Sequence, residues 1–310
     1  MKTRYGIVLF LSLLVTPVYA QGPGFPKERR DPILEQKLMD LAQGFQGTAG
    51  IYVRHLKTGT TATFNADSLF PTASMIKVPI LCGLFDRIER GELKYDSAVV
   101  YRDSMKYDDG ITGSFKDSTR IAVAELVHLM ITVSDNTASL WLQALAGTGT
   151  AINDLLEKNG FHSTRVNSRT PGREGFRSIF GWGVTSPREM AELMARIYQQ
   201  QLITQAASEE MFRVLTKPYW DGEAVSQIPP QVQVASKSGA VNASKSETVL
   251  VNAPSGSYVF CVITKNQKDQ QWKNDNEGYV LIRNVSKTLW SYFEPQSTWK
   301  PPAGREKWVK

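Results

Sequence analysis

Strand-forming runs stand at the two ends of this chain and helical ones fill the middle, a distribution that restricts the fold more than any other feature. Near the start, residues 50–64 read as two strands joined by a short turn at Lys57 to Gly59. After Pro229-Pro230, Val232 to Ser238, Thr248 to Asn252 and Tyr258 to Thr264 read as three more, with Ala253-Pro-Ser-Gly256 as the second turn. Between these groups lie helical patterns: from Ser74 towards Ile88, over Thr119 to Ala146 with a polar break at Ser134-Asp135-Asn136, over Ala151 to Lys158, and from Ser186-Pro187 through Gln200. A capped helix opens at Asp31-Pro32 and another spans about Gly278 to Phe293. The economical assembly is α+β: one five-stranded antiparallel sheet built from both chain ends, carrying an inserted all-helical lobe. The sheet lobe then takes about residues 31–70 and 225–295 and the helical lobe about 71–224, with the cleft between them as the natural site. Phe161 to Val184 shows little periodicity and many Gly, Arg and Ser residues, and a long irregular segment inside a compact domain is usually functional.

The 310 residues suffice for one such unit with a sizeable core. The first twenty stand apart: Lys2 and Arg4, an apolar run from Ile7 to Val15, then small residues ending at Ala20. That is the pattern of a secretory signal peptide, so residues 21–310 are expected as a single exported catalytic domain, periplasmic or extracellular. The apolar run is short for a bilayer span, and no other stretch is a candidate for one. Removing Lys2 and Arg4 lowers the formal charge of +6 by two, and the basic residues that remain are scattered. No nucleic-acid module stands out, and a monomer acting on a small molecule is expected. Cys82 and Cys261 both sit in apolar runs, where buried free thiols are the commoner outcome. Gln21 to Arg30 reads as a loose leader.

Chemistry enters at Ser74-Met-Ile-Lys77. On a helix, residues three apart project from one face. A serine hydroxyl needs a neighbouring base before it attacks, and an amine whose pKa is lowered by burial and nearby positive charge can be that base. Alone, the pair is better explained as a helix cap beside a solvated lysine. Two further motifs follow in order, Ser134-Asp135-Asn136 and Lys237-Ser238-Gly239. Each also has a plain structural reading, a cap for the next helix and the end of an edge strand. The three together are what carries weight.

This ordered triplet resembles the class A serine β-lactamases and the penicillin-binding proteins. The likeness extends to Leu81 through Gly91, Leu129-Met-Ile-Thr-Val133, Thr185-Ser-Pro187 and Lys237-Ser-Gly-Ala240. It implies the fold reached above from patterning. It also implies Ser74 as the acylated nucleophile with Lys77 as its amine, Ser134 as proton relay to the leaving nitrogen, and Lys237 holding Ser134 and Lys77 in a positive field. Asn136 would bind the substrate's side-chain amide and Ser238 its carboxylate, with Gly239 and Ala240 beside them. The N–H groups of Ser74 and Ala240 would form the oxyanion hole. No cofactor or metal is implied. The substrate class is a β-lactam or a peptidoglycan-like acyl compound.

One departure from that family stands out. Its deacylating glutamate falls at Thr170 here, and threonine cannot act as a carboxylate. Glu174 is the nearest acid; it can be read as a substitute base on a rebuilt loop or as a solvated surface residue. Glu189, just after Pro187, is expected for helix reasons alone. Three chemistries therefore stay open: β-lactamase, D-alanyl peptidase or esterase, and a penicillin-binding module that deacylates slowly. His55, His128 and His162 lie in no metal-binding spacing, and His128 is expected in the core. Tyr107 is read either as a wall of the cleft or as structural.

Overall fold

The protein is described by a computed structural model over residues 26–308, so the expected signal segment lies outside the described residues. The first elements are β1 (Arg29–Arg30), α1 (Pro32–Ala42), β2 (Thr48–His55), β3 (Thr60–Phe64) and β4 (Phe70–Pro71). A 3₁₀ turn over Ala73–Ile76 then runs directly into α2 (Lys77–Glu89). The helical middle holds β5 (Ala98–Val100), β6 (Arg120–Ala122), α3 (Val123–Thr132), α4 (Asn136–Leu145) and α5 (Thr148–Lys158). It continues with β7 (Arg165–Val166), α6 (Glu174–Phe180), β8 (Gly183–Thr185), α7 (Pro187–Tyr198) and α8 (Gln205–Leu215). The chain closes with β9 (Val234–Val241), β10 (Ser244–Val251), β11 (Tyr258–Lys265) and α9 (Glu277–Phe293).

The main sheet runs β1-β3-β2-β11-β10-β9, so strands from the two chain ends meet where β2 pairs with β11, Ile51 opposite Val262. The five long strands are antiparallel, as patterning predicts. A sixth, β1, adds two residues in parallel at the β3 edge, Arg29 opposite Thr60. The end of the expected loose leader is thus tied into the sheet. The last hairpin is also longer than predicted: β9 reaches Val241, and β10 starts at Ser244 rather than Thr248.

Both sheet faces are covered. One packs Ile51, Val53, Val249, Phe260 and Val262 against Leu34 and Leu38 of α1 and Leu281, Val285 and Leu289 of α9. The other packs Tyr52, Val259, Cys261 and Ile263 against Met190, Leu193, Met194 and Ile197 of α7. Beyond α7 lies α2, whose residues from Lys77 through Phe85 are all buried. Full burial of each large aliphatic side chain contributes about 1.5–3 kcal/mol, so α2 is fixed as firmly as any element of the fold. Cys82 and Cys261 are both buried free thiols.

Local chemistry sets the helix starts. Asp31 Oδ1 accepts from the N–H groups of Ile33 (3.1 Å) and Leu34 (3.0 Å), and Ser186 Oγ accepts from Glu189 N (3.2 Å). The helix expected from Thr119 begins instead at Val123, because residues 120–122 pair with 98–100. His128 is half-buried on α3 rather than in the core; its neighbours Val127 and Met130 are the ones turned inward.

The long segment after α5 is ordered rather than irregular. β8 pairs with both β4 and β7. Its entry is held by Glu189, whose carboxylate accepts from His162 N (2.7 Å), Ser163 N (2.8 Å), Thr164 N (2.7 Å) and Thr164 Oγ1 (2.8 Å). This is more than the helix-start role its position suggested. Replacing Glu189 by Ala leaves those donors without an acceptor, and we expect a loss of roughly 1–3 kcal/mol in denaturant unfolding. A loss below about 0.5 kcal/mol, the scale of an ordinary surface change, would show that the clamp is dispensable.

Candidate active site

Four segments converge on one cleft. The 3₁₀ turn supplies Ser74, α2 supplies Lys77 as its first residue, the link from α3 and the first residue of α4 supply Ser134 and Asn136, and β9 supplies Lys237 through Ala240. Two of the joining residues have left-handed backbone, Ala73 at φ 43° and Ser134 at φ 63°. Such conformations cost a non-glycine residue about 1–2 kcal/mol, so each is held by its surroundings. At Ser134 the holding group is Lys77, which donates to the Ser134 carbonyl at 2.6 Å.

Lys77 Nζ has four oxygens around it. Besides that carbonyl they are Asn136 Oδ1 (2.8 Å), Ser134 Oγ (2.9 Å) and Ser74 Oγ (3.0 Å). The carbonyl and the amide oxygen can only accept, so they take two N–H groups. The third position on nitrogen faces the two hydroxyls, and in the neutral amine it is a lone pair. Burial pushes Lys77 well below the ordinary lysine pKa and the charge of Lys237 pushes the same way, with Asp135 and Asp108 opposing. Its place at a helix N-terminus disfavours the cation further. An amine able to take a proton from Ser74 is therefore present.

Lys237 lies on the other side of Ser134, donating to its Oγ at 3.1 Å and to the Ser238 carbonyl at 3.0 Å. Burial lowers its pKa to about 8, with Glu247 opposing. Glu247 is fully buried on β10, accepts from Ala224 N at 2.8 Å, and is raised by burial to about 8.

Two cavities flank Ser74 and share Ala240 as a wall. The larger, about 490 Å³, runs under Tyr107, Ile179, Phe180 and Trp182, with no Asp or Glu in its lining. The other, about 370 Å³, holds Ser134, Ser238, Gly239, Trp220, Trp272 and Glu223. Tyr107 packs edge-on against Trp182 with ring centres 4.9 Å apart, so of its two readings the wall of the cleft is the one found. Trp220 was not singled out by sequence. Its indole donates to the Val133 carbonyl at 3.0 Å, which seats it beside Ser134.

Six of the eight sequence candidates thus line this cleft, and the other two, Lys77 and Lys237, lie buried directly behind Ser74 and Ser134. Glu174 does not join them. It opens α6, is exposed, and accepts from Gly172 N at 3.1 Å. Thr170 is turned away as well, buried against Gly149 with its hydroxyl donated to the Ser168 carbonyl at 2.9 Å. Among the described residues no group of three His, Cys, Asp or Glu side chains is arranged to hold a metal, and no helix is long and apolar enough to cross a membrane.

Known proteins resemble this chain in sequence and in fold. A family model described as the Beta-lactamase enzyme family matches residues 32–293. Beta-lactamase VEB-1 of Pseudomonas aeruginosa is 20% identical over 302 residues, 93% of this chain and 97% of that protein. The solved structure of PBP-A superposes with a TM-score of 0.78 at 26% identity, covering 88% of this chain and all of that one. A mutant of PBP-A has been solved as an acyl-enzyme complex with penicillin-G. A class A beta-lactamase from Mycobacterium abscessus gives a TM-score of 0.75 at 20% identity over 84% of this chain and 99% of its own, a likeness of fold.

Two expectations follow. A Cβ on Gly239 would lie 2.6 Å from the Thr72 carbonyl and 2.9 Å from Met75 N, both backbone, so Gly239→Ala must push β9 off the turn bearing Ser74. Covalent labelling of Ser74 should fall at least about 100-fold while the fold survives, since displacement of about 1 Å costs that much; unchanged labelling would contradict the close packing. Glu247 ionises in the unfolded chain near its ordinary value but only near 8 when folded, so its contribution to stability is lost as pH rises between those values. Thermal unfolding of Glu247→Gln should match the parent at pH about 5 and exceed it increasingly towards pH about 8. A pH-independent difference would mean that Glu247 does not titrate in this range.

Proposed function

The chain belongs to the beta-lactamase enzyme family, and from that membership we propose that it is an exported serine hydrolase that opens β-lactams through an acyl-serine intermediate and hydrolyses that intermediate slowly. The observation that carries the proposal is the amine of Lys77, buried and within 3.0 Å of Ser74 Oγ. In the first step Ser74 Oγ bonds to the lactam carbonyl carbon while its proton passes to Lys77 Nζ. The oxyanion sits at the N–H groups of Ser74 and Ala240. As the C–N bond breaks, the nitrogen takes the proton of Ser134 Oγ, which is replenished from Lys77. Lys237 holds Ser134 and Lys77 in a positive field, Ser238 holds the substrate carboxylate, and the Asn136 amide meets its side-chain carbonyl. The whole unit acts as one catalytic domain over residues 21–310, exported after cleavage at Ala20 and needing no cofactor.

Slow hydrolysis is supported by the wall on the acyl side of Ser74. Ile179, Phe180, Gly181 and Trp182 stand there, and no carboxylate lines that cavity to activate a water. Glu174, exposed and engaged by Gly172, is no substitute. That the related PBP-A has been captured, as a mutant, in an acyl-enzyme with penicillin-G fits a long-lived intermediate on this framework. A peptide or ester ending in D-alanine is the second candidate donor, favoured by the cavity of about 370 Å³ on the Ser134 side, where a leaving amine would depart.

Mixed with a chromogenic cephalosporin, the protein should release a burst of about one equivalent and then turn over slowly, because acylation outruns hydrolysis. Intact mass should show one lactam adduct, absent in Ser74→Ala. Linear turnover with no burst would contradict slow hydrolysis, and no adduct on Ser74 would contradict the proposal as a whole.

A further inference from the structure

The loop between β5 and β6 brings an acid to this cleft that has no part in the motifs. Asp108 Oδ2 accepts from Asn136 Nδ2 at 2.7 Å, and the same amide's Oδ1 accepts from Lys77 Nζ at 2.8 Å. Carboxylate, amide and amine therefore form one line. An asparagine amide has two faces that are nearly the same shape, and only its partners decide which end points where. Lys77 as a donor and Asp108 as a pure acceptor both select one orientation, oxygen towards the amine and NH₂ towards the loop. That leaves one of the two N–H bonds free for a ligand in the cleft.

Asp108 is itself fixed. Its Oδ1 accepts from Gly110 N at 3.3 Å, and the preceding Tyr107 N donates to Thr137 Oγ1 at 3.1 Å. Thr112 N donates to Asp135 Oδ2 at 2.9 Å, closing the loop onto the start of α4. The Asp108 carbonyl lies where a Cβ on Gly113 would be, so Gly113 is what lets the loop come this close.

We propose that Asp108 is a positioning residue for acyl transfer: it sets the orientation of the Asn136 amide, and so the seat of the acyl donor's own amide. The inference rests on the reading of Ser74 as nucleophile. The groups facing Lys77 are Lys237, which disfavours its cation, and Asp135 and Asp108, which favour it. Loss of the Asp108 charge therefore lets Lys77 stay neutral to lower pH.

The experiment compares acylation of the parent, Asp108→Ala and Asp108→Asn by penicillin-G and by a penam that lacks the side-chain amide. Asp108→Ala frees the Asn136 amide to flip, and acylation by penicillin-G should fall about ten-fold more than acylation by the bare penam, the worth of one such hydrogen bond. Asp108→Asn still offers an acceptor oxygen, so penicillin-G acylation returns to within about three-fold of the parent, while the acid limb of the rate moves to lower pH. Equal losses with both donors, or an acid limb that stays in place, overturn the proposal. The titration of Lys77, followed in the free protein by NMR of lysine labelled at Cε, gives a readout that needs no reaction. It should fall in Asp108→Asn, and an unmoved titration overturns the inference. A lowered titration in a protein whose parent is never acylated would sink the lactam reading and leave the coupling of Asp108 to Lys77 standing.

Discussion

Two lysines buried side by side are the constraint on which this structure turns. Lys77 and Lys237 are each almost fully inaccessible and share Ser134 Oγ as a hydrogen-bond partner. Burial disfavours the charged form of both, and the charge of Lys237 further disfavours that of Lys77. The fold answers with oxygens rather than a neighbouring carboxylate at salt-bridge distance: two carbonyl-type acceptors and two hydroxyls around Lys77, and a hydroxyl and a carbonyl on Lys237. A direct ion pair would hold these amines protonated. Hydrogen bonds to neutral oxygens satisfy the donors while leaving protonation free to change.

Such a cage has to be rigid, and the rest of the architecture supplies that. Lys77 begins the helix that the core surrounds on all sides, so the amine cannot retreat to solvent. Lys237 comes from the sheet edge strand, brought against the Ser74 turn because Gly239 has no side chain. Ser134 comes from a third direction, on left-handed backbone that its carbonyl bond to Lys77 helps to hold. The sheet built from both chain ends matters for this reason: it lets the first and last parts of the chain clamp the inserted helices from one side.

Much of this was legible in sequence because apolar periodicity and short polar motifs are local signals. The five long strands, α1, α2, α7 and α9 follow from such signals, while the grouping of Ser74, Lys77, Ser134 and Lys237 came from the family that their ordered motifs resemble. What escaped was decided by tertiary contact. Residues 244–247, Ser-Lys-Ser-Glu, look like a loop, yet all four are buried in β10 because strands lie on both sides of it. α8 begins in Gln-Ala-Ala-Ser, too polar at its start to stand out. α6 is only seven residues, below the length at which helical period is readable. Glu189 seemed sufficiently explained by its place in a first turn, and Trp220 and Asp108 act through partners 87 and 28 residues away in sequence.

The distribution of acids then says something that no single motif does. Asp108 and Asp135 raise the pKa of Lys77, and Glu247 raises that of Lys237. Each of these stands behind an amine rather than in front of Ser74. On the acyl side, where a carboxylate would be needed to activate water, the wall is Phe180, Gly181 and Trp182. Electrostatic effort in this site is thus concentrated on the two buried amines, the groups that the proposed acylation would use to move protons, and little is directed at the step that would release an acyl group. If Ser74 is acylated as proposed, a site arranged in this way favours forming the covalent intermediate over destroying it, and the identity of residue 170 alone does not decide the matter: even a glutamate there would have to turn out of the pocket that Thr170 fills against Gly149 before it could reach the cleft.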